Sequence, residues 1–199
     1  SGRLKVCDFG LSRVKDQAFK TGTYRMTGKT GSLRYMAPEV FQQDPKYDEK
    51  VDIYSLALIL HYICLGVQPL RNMSGQTVAI HATRDEARPP LDQIRQERGL
   101  PMAELIRRCW APRGKQRPSA LEILQLLEVI ALWEQTAKHR VAMLSRADQA
   151  TARALYHCVT VGRCTASPPA RWRRFARQCW TKWVSYDGMT QSEARSALV

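Results

Sequence analysis

The spacing of apolar residues along the chain predicts a mainly α-helical protein. The strongest pattern runs from Asp48 to Val67, which opens with charged residues, is apolar almost all round and stops near Gly66. A helix with apolar residues on every side is usually buried, so we expect this one to lie in a core. Residues 68–101 are rich in loop-forming residues, and helical spacing returns from Met102 to Trp110.

The stretches before residue 48 have a different character. Leu4 to Cys7 is a short apolar run that ends at a glycine turn, which predicts a β-strand. Leu11 to Arg34 is polar and has neither a helical nor an alternating period, so we expect a long exposed loop there. Pro38 then predicts a helix start, because proline suits the first helical turn.

Helix start signals continue in the second half of the chain. Ser119 and Glu122 form a capping box, which predicts a helix that continues with little interruption to about Met143. Ser145 repeats the signal before a helix that ends near Val159. The remaining predicted elements are an arginine-rich helical segment to about Tyr186 and a last helix after Gly188.

Composition excludes several classes of protein. The 199 residues are 44 % apolar, which supports a buried core and excludes wholesale disorder. The longest mainly apolar stretch, Ile53 to Val67, is shorter than the ~20 residues that cross a bilayer, so we expect no transmembrane segment. The six cysteines form no C-x-x-C pair, which excludes the usual metal-site spacing and favours a reducing compartment. We therefore expect a cytoplasmic protein.

Basic residues outnumber acidic ones by 31 to 18, which gives a formal charge of +13. Such a charge invites a nucleic-acid partner. The basic residues occur throughout the chain, however, and we expect no such partner. One local cluster has two interpretations, a solvated helix face or an anion-binding site. It consists of Arg171, Arg173, Arg174 and Arg177.

Two triplets in the first forty residues carry information through their separation. Asp8-Phe9-Gly10 and Ala37-Pro38-Glu39 are separated by 26 residues, which form a basic, Thr-rich stretch. In phosphoryl transfer, the aspartate of a D-F-G triplet ligates the magnesium ion that bridges the phosphates of ATP, and its glycine lets the backbone turn. Either triplet alone is common, and the informative feature is the separation of the two.

The pair resembles the protein kinase catalytic domain, specifically its C-terminal lobe. The likeness continues in order through Gly31-Ser32-Leu33-Arg34-Tyr35-Met36-Ala37-Pro38-Glu39, Asp52-Ile53-Tyr54-Ser55, Cys109-Trp110 and Arg117-Pro118-Ser119. The group it resembles is the tyrosine-kinase-like group. Ser/Thr specificity is favoured, because Ser32 stands where serine/threonine-directed kinases usually place Thr or Ser. The resemblance implies ATP and Mg²⁺ as cofactors and a protein as substrate.

The resemblance also assigns roles to single residues. Asp8 matches the magnesium ligand, Phe9 the apolar switch residue and Gly10 the hinge. These three would form the cofactor-binding set. Asp52 matches the residue that holds the backbone of the catalytic loop, and Asp52 and Ser32 together would support catalysis.

Structural roles and modification sites follow in the same way. Glu39 and Arg117 match a buried ion pair that ties the end of the activation segment to the last part of the lobe, and Trp110 belongs to the same structural set. A phosphate on the basic loop would gain charge-assisted hydrogen bonds, so its threonines are candidate phosphorylation sites as well as ordinary loop residues. These are Thr21, Thr23, Thr27 and Thr30.

Parts that kinase catalysis needs do not occur in the 199 residues. The sequence contains no G-x-G-x-x-G loop, no V-A-I-K lysine and no H-R-D-x-x-x-x-N catalytic loop. We therefore expect the chain alone to be inactive. We interpret it as a fragment of a longer gene product that transfers the ATP γ-phosphoryl group to a Ser or Thr hydroxyl of a protein.

The last seventy residues contain a second group of motifs. The string from Leu155 to Gly162, with Tyr156 and Thr160 inside it, precedes the others. These are Trp180-Thr181-Lys182-Trp183, Gly188-Met189-Thr190 and Glu193-Ala194. A small helical bundle with tryptophans in its core explains them without any ligand. The strings also resemble the acyl-CoA-binding protein family, a four-helix bundle that holds the CoA head group and shields the acyl chain.

This second resemblance implies a ligand site. Tyr156 matches a tyrosine that stacks near the adenine, and Trp180 matches a tryptophan beside the cleft. His157 and Arg153 stand where the family has lysine and tyrosine, and Arg153 and Arg177 can restore the cationic character. The candidate acyl-CoA residues are Lys138, Arg153, Tyr156, His157, Arg177 and Trp180.

The two resemblances divide the chain into a kinase C-lobe fragment over residues 1–128 and a helical domain over residues 129–199, whose last helix is truncated. The predicted fold class is mainly α, a kinase-like C-terminal lobe followed by an acyl-CoA-binding-like helical bundle. A second functional interpretation stays open. In it, the chain is a non-catalytic pseudokinase or scaffold module that binds fatty acyl-CoA or a protein partner.

Overall fold

The computed structural model describes residues 5–12, 24–25, 31–42, 46–165, 167–170 and 173–198. Within these residues the fold is mainly helical, as predicted. The helices are α1 (Pro38–Phe41), α2 (Lys50–Leu65), α3 (Gly75–Arg84), α4 (Asp92–Glu97), α5 (Leu100–Cys109), α6 (Ala120–Leu132), α7 (Lys138–Ala142), α8 (Arg146–Thr160), α9 (Arg174–Ser185) and α10 (Gln191–Leu198). Short 3-10 helices at Leu33–Tyr35 and Gly114–Gln116 and a π-helical turn at Trp133–Ala137 complete the helical elements.

The chain forms two compact units. Unit 1 comprises Ser1–Pro89 and Cys109–Arg117, and unit 2 comprises Pro90–Arg108 and Pro118–Val199. The predicted domain division between residues 128 and 129 follows the two groups of sequence motifs, and it stays a prediction.

Helix α2 in unit 1 confirms the strongest helical prediction and corrects one expectation. Gly66 ends the helix with a φ of 67°, in the left-handed region that glycine adopts without steric cost. The expectation of burial on every side is wrong, since Ile59, Tyr62 and Ile63 are 43, 45 and 61 % exposed. The described residues of unit 1 cover one side of the helix. That side carries Ile53, Tyr54, Ala57, Leu58, His61 and Cys64.

The structure also corrects the prediction for the start of the chain. Residues 5–9 are irregular and do not form the predicted strand, because no described strand pairs with them and an unpaired strand is not stable. Two short strands, β1 (Tyr24–Arg25) and β2 (Lys46–Tyr47), pair antiparallel with Tyr24 opposite Tyr47. The predicted loop from Leu11 to Arg34 therefore includes strand β1 among its described residues.

The stretch predicted as loop-rich, residues 68–101, contains two helices and the start of a third. Helix α3 begins after Ser74, whose hydroxyl oxygen accepts a hydrogen bond from the Thr77 N–H at 3.1 Å. Such a serine N-cap satisfies one of the free amides of the first turn. A Ser three residues before a Thr is a weak start signal, and composition therefore underestimated the helix content here.

Unit 2 is held together by two apolar clusters. The capping box predicted at Ser119 and Glu122 is present at the start of α6, and the π-helical turn joins α6 to α7 almost without interruption. Helix α8 packs against α9 and α10. Their contact surface is a buried cluster of Ala154, Leu155, Cys158, Val159, Trp183 and Ala194. A second cluster contains Trp133, Val141 and Tyr156. None of the described helices is both long enough and apolar enough to cross a membrane.

Candidate functional site

The D-F-G triplet lies in an exposed turn of unit 1. Asp8 has a φ of 64°, a left-handed conformation that aspartate tolerates better than most residues with a side chain. The Ser12 N–H and hydroxyl both donate hydrogen bonds to the Phe9 carbonyl, at 3.0 and 2.7 Å, and so close the turn. Phe9 is 66 % exposed. The triplet therefore presents its carboxylate at the surface of the described residues.

The donor set at this turn fits Mg²⁺ in one specific way. Across the described residues, no group of three or more His, Cys, Asp or Glu side chains could hold a metal by itself. Mg²⁺ is commonly held by one or two carboxylates together with water and the phosphates of a nucleotide. The single exposed carboxylate of Asp8 fits that pattern as one ligand among several.

The segment from Gly31 to Glu39 is fixed by side chains of unit 1. Arg34 donates three hydrogen bonds, to the carbonyls of Pro69 at 2.7 Å, Leu70 at 2.8 Å and Met73 at 2.7 Å. The Ser55 hydroxyl donates to the Tyr35 carbonyl at 2.9 Å. The hydrogen bonds of Arg34 and Ser55 therefore hold this segment in place, and Ser32 takes no part in them.

Ser32 itself is exposed. It occupies the N-cap position of the 3-10 helix Leu33–Tyr35, and its side chain makes no capping hydrogen bond. A hydroxyl that is not used to cap the helix is available to another molecule.

Glu39 and Arg117 form the predicted ion pair, 78 residues apart in sequence. Arg117 Nη1 and Nη2 donate to the two carboxylate oxygens of Glu39 at 2.6 and 2.9 Å. The other donors of Arg117 bind the carbonyls of Ala111 at 2.9 Å, Lys50 at 2.9 Å and Pro112 at 3.3 Å. All five N–H groups of the guanidinium are therefore satisfied, although its side chain is 0 % exposed.

Two residues to which the sequence analysis assigned no role lie beside this ion pair. The centre of the Tyr54 ring is 5.1 Å from the guanidinium of Arg117 and 5.0 Å from that of Arg88. Burial raises the pKa of Tyr54 and lowers the pKa of Arg88. Arg88 donates to the carbonyls of Trp110 at 3.1 Å and Ala87 at 2.9 Å. Arg88 carries no motif in the sequence, so its role could not be predicted there.

The remaining kinase-like residues occupy different surroundings. Trp110 is 4 % exposed, and its ring centroid lies 6.2 Å from that of His61. Asp52 lies in the first turn of α2 with an exposed side chain. Its carboxylate makes no hydrogen bond with other described residues, and desolvation together with Glu49 raises its pKa. The candidate phosphorylation sites fall outside the described residues, namely Thr21, Thr23, Thr27 and Thr30.

In unit 2, the structure brings the candidate acyl-CoA residues of α8 into an aromatic cluster. Tyr156 stacks on Trp133 with ring centroids 4.3 Å apart and an interplanar angle of 5°. His157 stacks on Trp183 at 5.0 Å. Burial raises the pKa of Tyr156, whereas burial and then the charge of Arg153 lower the pKa of His157 to about 4. His157 is therefore neutral at pH 7.

The cationic candidates lie around the start of α9. The Arg153 guanidinium is 5.1 Å from the centre of the Phe175 ring. Arg177 donates from Nη1 to the Pro169 carbonyl at 3.2 Å. Trp180 is partly buried in α9. Lys138 begins α7, and its side chain, like Arg171 of the arginine cluster, lies outside the described residues. Trp133, which covers one face of Tyr156, was not identified from the sequence.

Comparison with known proteins adds to this geometry. A family model described as "Protein kinase domain" matches residues 1–127. The serine/threonine-protein kinase VIK of Arabidopsis thaliana is 44 % identical over 128 residues, which are 64 % of this chain and 28 % of the relative. The serine/threonine-protein kinase STY46 of the same plant is 37 % identical over 128 residues, 64 % of this chain and 21 % of the relative.

A third Arabidopsis relative, the serine/threonine/tyrosine-protein kinase HT1, is 31 % identical over 146 residues, 73 % of this chain and 34 % of its own length. The chain thus spans between a fifth and about a third of the length of these relatives.

Proposed function

The chain belongs to the protein kinase family, and from this premise we propose that it serves in ATP-dependent phosphoryl transfer to a Ser or Thr hydroxyl of a protein, as part of a longer gene product. The observation that carries the proposal is the carboxylate of Asp8, which the D-F-G turn presents at the surface, where it can serve as one ligand of Mg²⁺. The Glu39–Arg117 pair supports the kinase-like arrangement of unit 1, because it joins two motifs that are 78 residues apart with every guanidinium N–H satisfied. Ser32, exposed beside this segment, supports the preference for Ser or Thr.

The cofactors we propose are ATP and Mg²⁺. Mg²⁺, when bound, neutralises the charge that develops on the phosphates. Asp8 would supply one carboxylate ligand from its exposed turn, and Gly10 would allow the backbone to bend there. Phe9, 66 % exposed, would be covered by other parts of the kinase domain in the full-length protein.

We propose that Asp52 and the exposed side of α2 receive the catalytic loop of the full-length protein. Asp52 is exposed in the first turn of α2, partial desolvation raises the pKa of its carboxylate, and the described residues supply no hydrogen bond to it. Ile59 and Ile63, two turns and three turns further along the same helix, are 43 and 61 % exposed. The catalytic loop would cover these apolar side chains, and its backbone N–H groups would donate hydrogen bonds to Asp52.

The proposal is tested by measuring transfer of labelled γ-phosphate from ATP to a protein acceptor. We expect activity from the full-length gene product and none from the 199-residue chain, which lacks the H-R-D aspartate. Asp8→Asn in the full-length protein is expected to lower activity at least 100-fold, because positioned charge carries most of this catalysis. Asp92→Asn, in the exposed first turn of α4, is the matched control. An Asp8→Asn protein as active as wild type would refute the assignment.

The non-catalytic alternative makes the opposite prediction from the same assay. A pseudokinase or scaffold module would bind a protein partner or fatty acyl-CoA, and the full-length product would transfer no phosphate. Such a protein would still need the Glu39–Arg117 pair, because that pair stabilises unit 1 whether or not catalysis occurs.

We also propose that residues 129–199 bind a long-chain acyl-CoA. The observation that favours this is the position of Arg153 one turn before Tyr156 and His157 on α8. Tyr156 and His157 stack on aromatic rings, and the Arg153 guanidinium lies over Phe175 at the start of α9. An aromatic ring stacks with the base of a nucleotide, and guanidinium groups bind phosphate. Trp133 occupies one face of Tyr156, so an adenine that stacks there would displace it.

Calorimetric titration of the chain with palmitoyl-CoA tests this second function. We expect binding, a weaker affinity for Arg177→Glu, and an unchanged affinity for Arg195→Glu, an exposed residue of α10. Trp133→Leu is expected to tighten binding, because the base no longer competes with an indole ring. Absence of binding at tens of micromolar by a chain with a native circular dichroism spectrum would end the hypothesis.

The compartment we propose is the cytoplasm. All six cysteines are free, which suits a reducing environment. Fractionation of cells, with the tagged full-length protein detected in each fraction, tests this proposal, and recovery only from a secreted fraction would contradict it.

A further inference from the structure

Positive charge is concentrated in one stretch of unit 2. Residues 138–185 contain ten Lys or Arg and a single acidic residue, Asp148. Asp148 is engaged locally, since its carboxylate accepts a hydrogen bond from the Ser145 hydroxyl at 2.7 Å at the start of α8. Arg163 donates from Nε to the Asp187 carboxylate at 2.6 Å, just beyond this stretch. Unit 2 therefore carries a stretch with a strong excess of positive charge, in which Arg163 is paired.

An exposed apolar turn lies at one end of this stretch. Met143 is 90 % exposed and Leu144 is 48 % exposed. Arg140 precedes them and Arg146 follows them, and both arginines are exposed as well. Two protruding apolar side chains between two cations form an amphipathic tip.

The tip is held firmly by hydrogen bonds. Gln149 donates from Nε2 to the carbonyls of Ala142 at 3.2 Å and Leu144 at 2.9 Å. Val141, two residues before Met143, is buried in the cluster that contains Trp133 and Tyr156. The turn is thus anchored to the core, and it presents Met143 and Leu144 outward as part of its fixed geometry.

The basic surface extends from the tip toward α9. Arg153 lies seven residues after Arg146, on the same face of α8 and about 10 Å further along it. Its guanidinium covers the Phe175 ring in the first turn of α9. Arg173 and Arg174 are exposed at that helix N-terminus, where the helix dipole disfavours cations and the first turn holds no acidic residue. Folding alone does not explain cations in these positions.

We propose that this face, defined as Arg140, Met143, Leu144, Arg146, Arg153, Arg173 and Arg174, docks on the surface of an anionic phospholipid bilayer. Basic residues near such a surface are attracted by its negative potential, and exposed aliphatic side chains enter the boundary between head groups and acyl chains. The apolar tip favours a bilayer over a nucleic acid, because phosphate contacts alone give Met143 and Leu144 no partner. The chain would lie on the membrane and not cross it.

Sedimentation with vesicles tests the proposal. The 199-residue chain is expected to bind phosphatidylcholine vesicles that contain about 30 % phosphatidylserine and to leave pure phosphatidylcholine vesicles in the supernatant, with binding that weakens as salt is added. The double variant Met143→Asp with Arg146→Glu is expected to bind at least tenfold more weakly. The matched control is Arg71→Glu with Met73→Asp, an exposed pair in unit 1 with the same change of charge, expected to stay within about twofold of wild type.

Circular dichroism and thermal unfolding of each variant separate loss of binding from loss of fold. If the double variant unfolds, the single change Leu144→Asp serves in its place. Equal binding to neutral and anionic vesicles would overturn the proposal, as would equal losses in the double variant and the control. Retention by RNA or heparin that depends on the same residues, without vesicle binding, would also overturn it and assign the surface to another polyanion.

Discussion

The Glu39–Arg117 site in unit 1 and the Tyr156–His157 cluster in unit 2 both bury an ionisable side chain, but they stabilise it in different ways. Unit 1 buries a full charge and satisfies every donor of it, within 3.3 Å. Unit 2 buries aromatic rings and keeps His157 neutral, with its Nδ1 atom buried and without a hydrogen-bond partner among described residues. Charge fixes geometry in the first region, whereas shape and stacking fix it in the second.

The two regions are expected to differ in how well they tolerate a change of contact partners. A buried guanidinium has one acceptable set of partners, because any donor left unsatisfied costs desolvation energy. A stacked aromatic cluster can exchange one flat partner for another, as a ligand would require of Trp133 and Tyr156. We therefore expect the partners of Arg117 in unit 1 to be difficult to replace, and the aromatic partners of Tyr156 in unit 2 to be easier to exchange.

The largest effect is expected from Arg117→Met. The change strands the carboxylate of Glu39 in a largely buried place and removes five hydrogen bonds, so the free energy of unfolding should fall by about 3–5 kcal/mol. Urea unfolding followed by tryptophan fluorescence measures it. A loss below 1 kcal/mol would mean that the buried charge does not organise unit 1.

A pH-dependent loss of stability comes next and concerns unit 2. The pKa of His157 is about 4 in the folded chain and near 6.5 when unfolded, so the unfolded state binds more protons in this range. Stability is therefore complete above pH 6.5 and falls by roughly 2–3 kcal/mol as the pH drops to about 4. His157→Phe should remove this dependence, whereas His139→Gln, an exposed histidine, should leave it intact. The midpoint of urea unfolding, measured for each variant between pH 4 and pH 7, tests both expectations. A pH dependence that persists in His157→Phe would contradict the assignment to His157.

Arg34→Met is expected to act locally. It removes three hydrogen bonds to the carbonyls of Pro69, Leu70 and Met73, with an expected cost of about 1–3 kcal/mol. Amide hydrogen exchange should accelerate most in residues 31–36. Uniform exchange across unit 1 would show that Arg34 does not position this segment in particular.

The smallest effect is expected from an exposed ion pair. Arg107 bonds Glu104 in α5, but its side chain is 62 % exposed, so Arg107→Met should cost less than about 1 kcal/mol. Thermal unfolding beside Arg117→Met gives the contrast directly. Similar losses in the two variants would remove burial as the reason for the strength of the Glu39 pair.

The sequence predicted the charged site better than the aromatic one. Glu39 and Arg117 each belong to a motif of the kinase resemblance, so the sequence predicted their pairing. The partners Arg88 and Tyr54 did not follow, because a cation above a ring depends on how α2 packs and leaves no spacing in the sequence.

Elements were predicted correctly where a residue at the helix end marks the boundary, and wrongly where the local signal is weak or tertiary contacts determine the conformation. The capping box at Ser119 and the glycine at Gly66 marked their helices correctly. Helix α3 was missed because Ser74 is its only clear start signal, and the strand predicted over residues 4–7 was wrong over the described residues because a strand depends on a distant partner.

The most direct test of the central claim is a double-mutant cycle on Glu39→Leu and Arg117→Met, read by urea unfolding. If the buried pair joins the two motifs, the double variant should be no less stable than Arg117→Met alone, with a coupling free energy of about 2 kcal/mol or more. Losses that simply add, with a coupling near zero, would contradict the account.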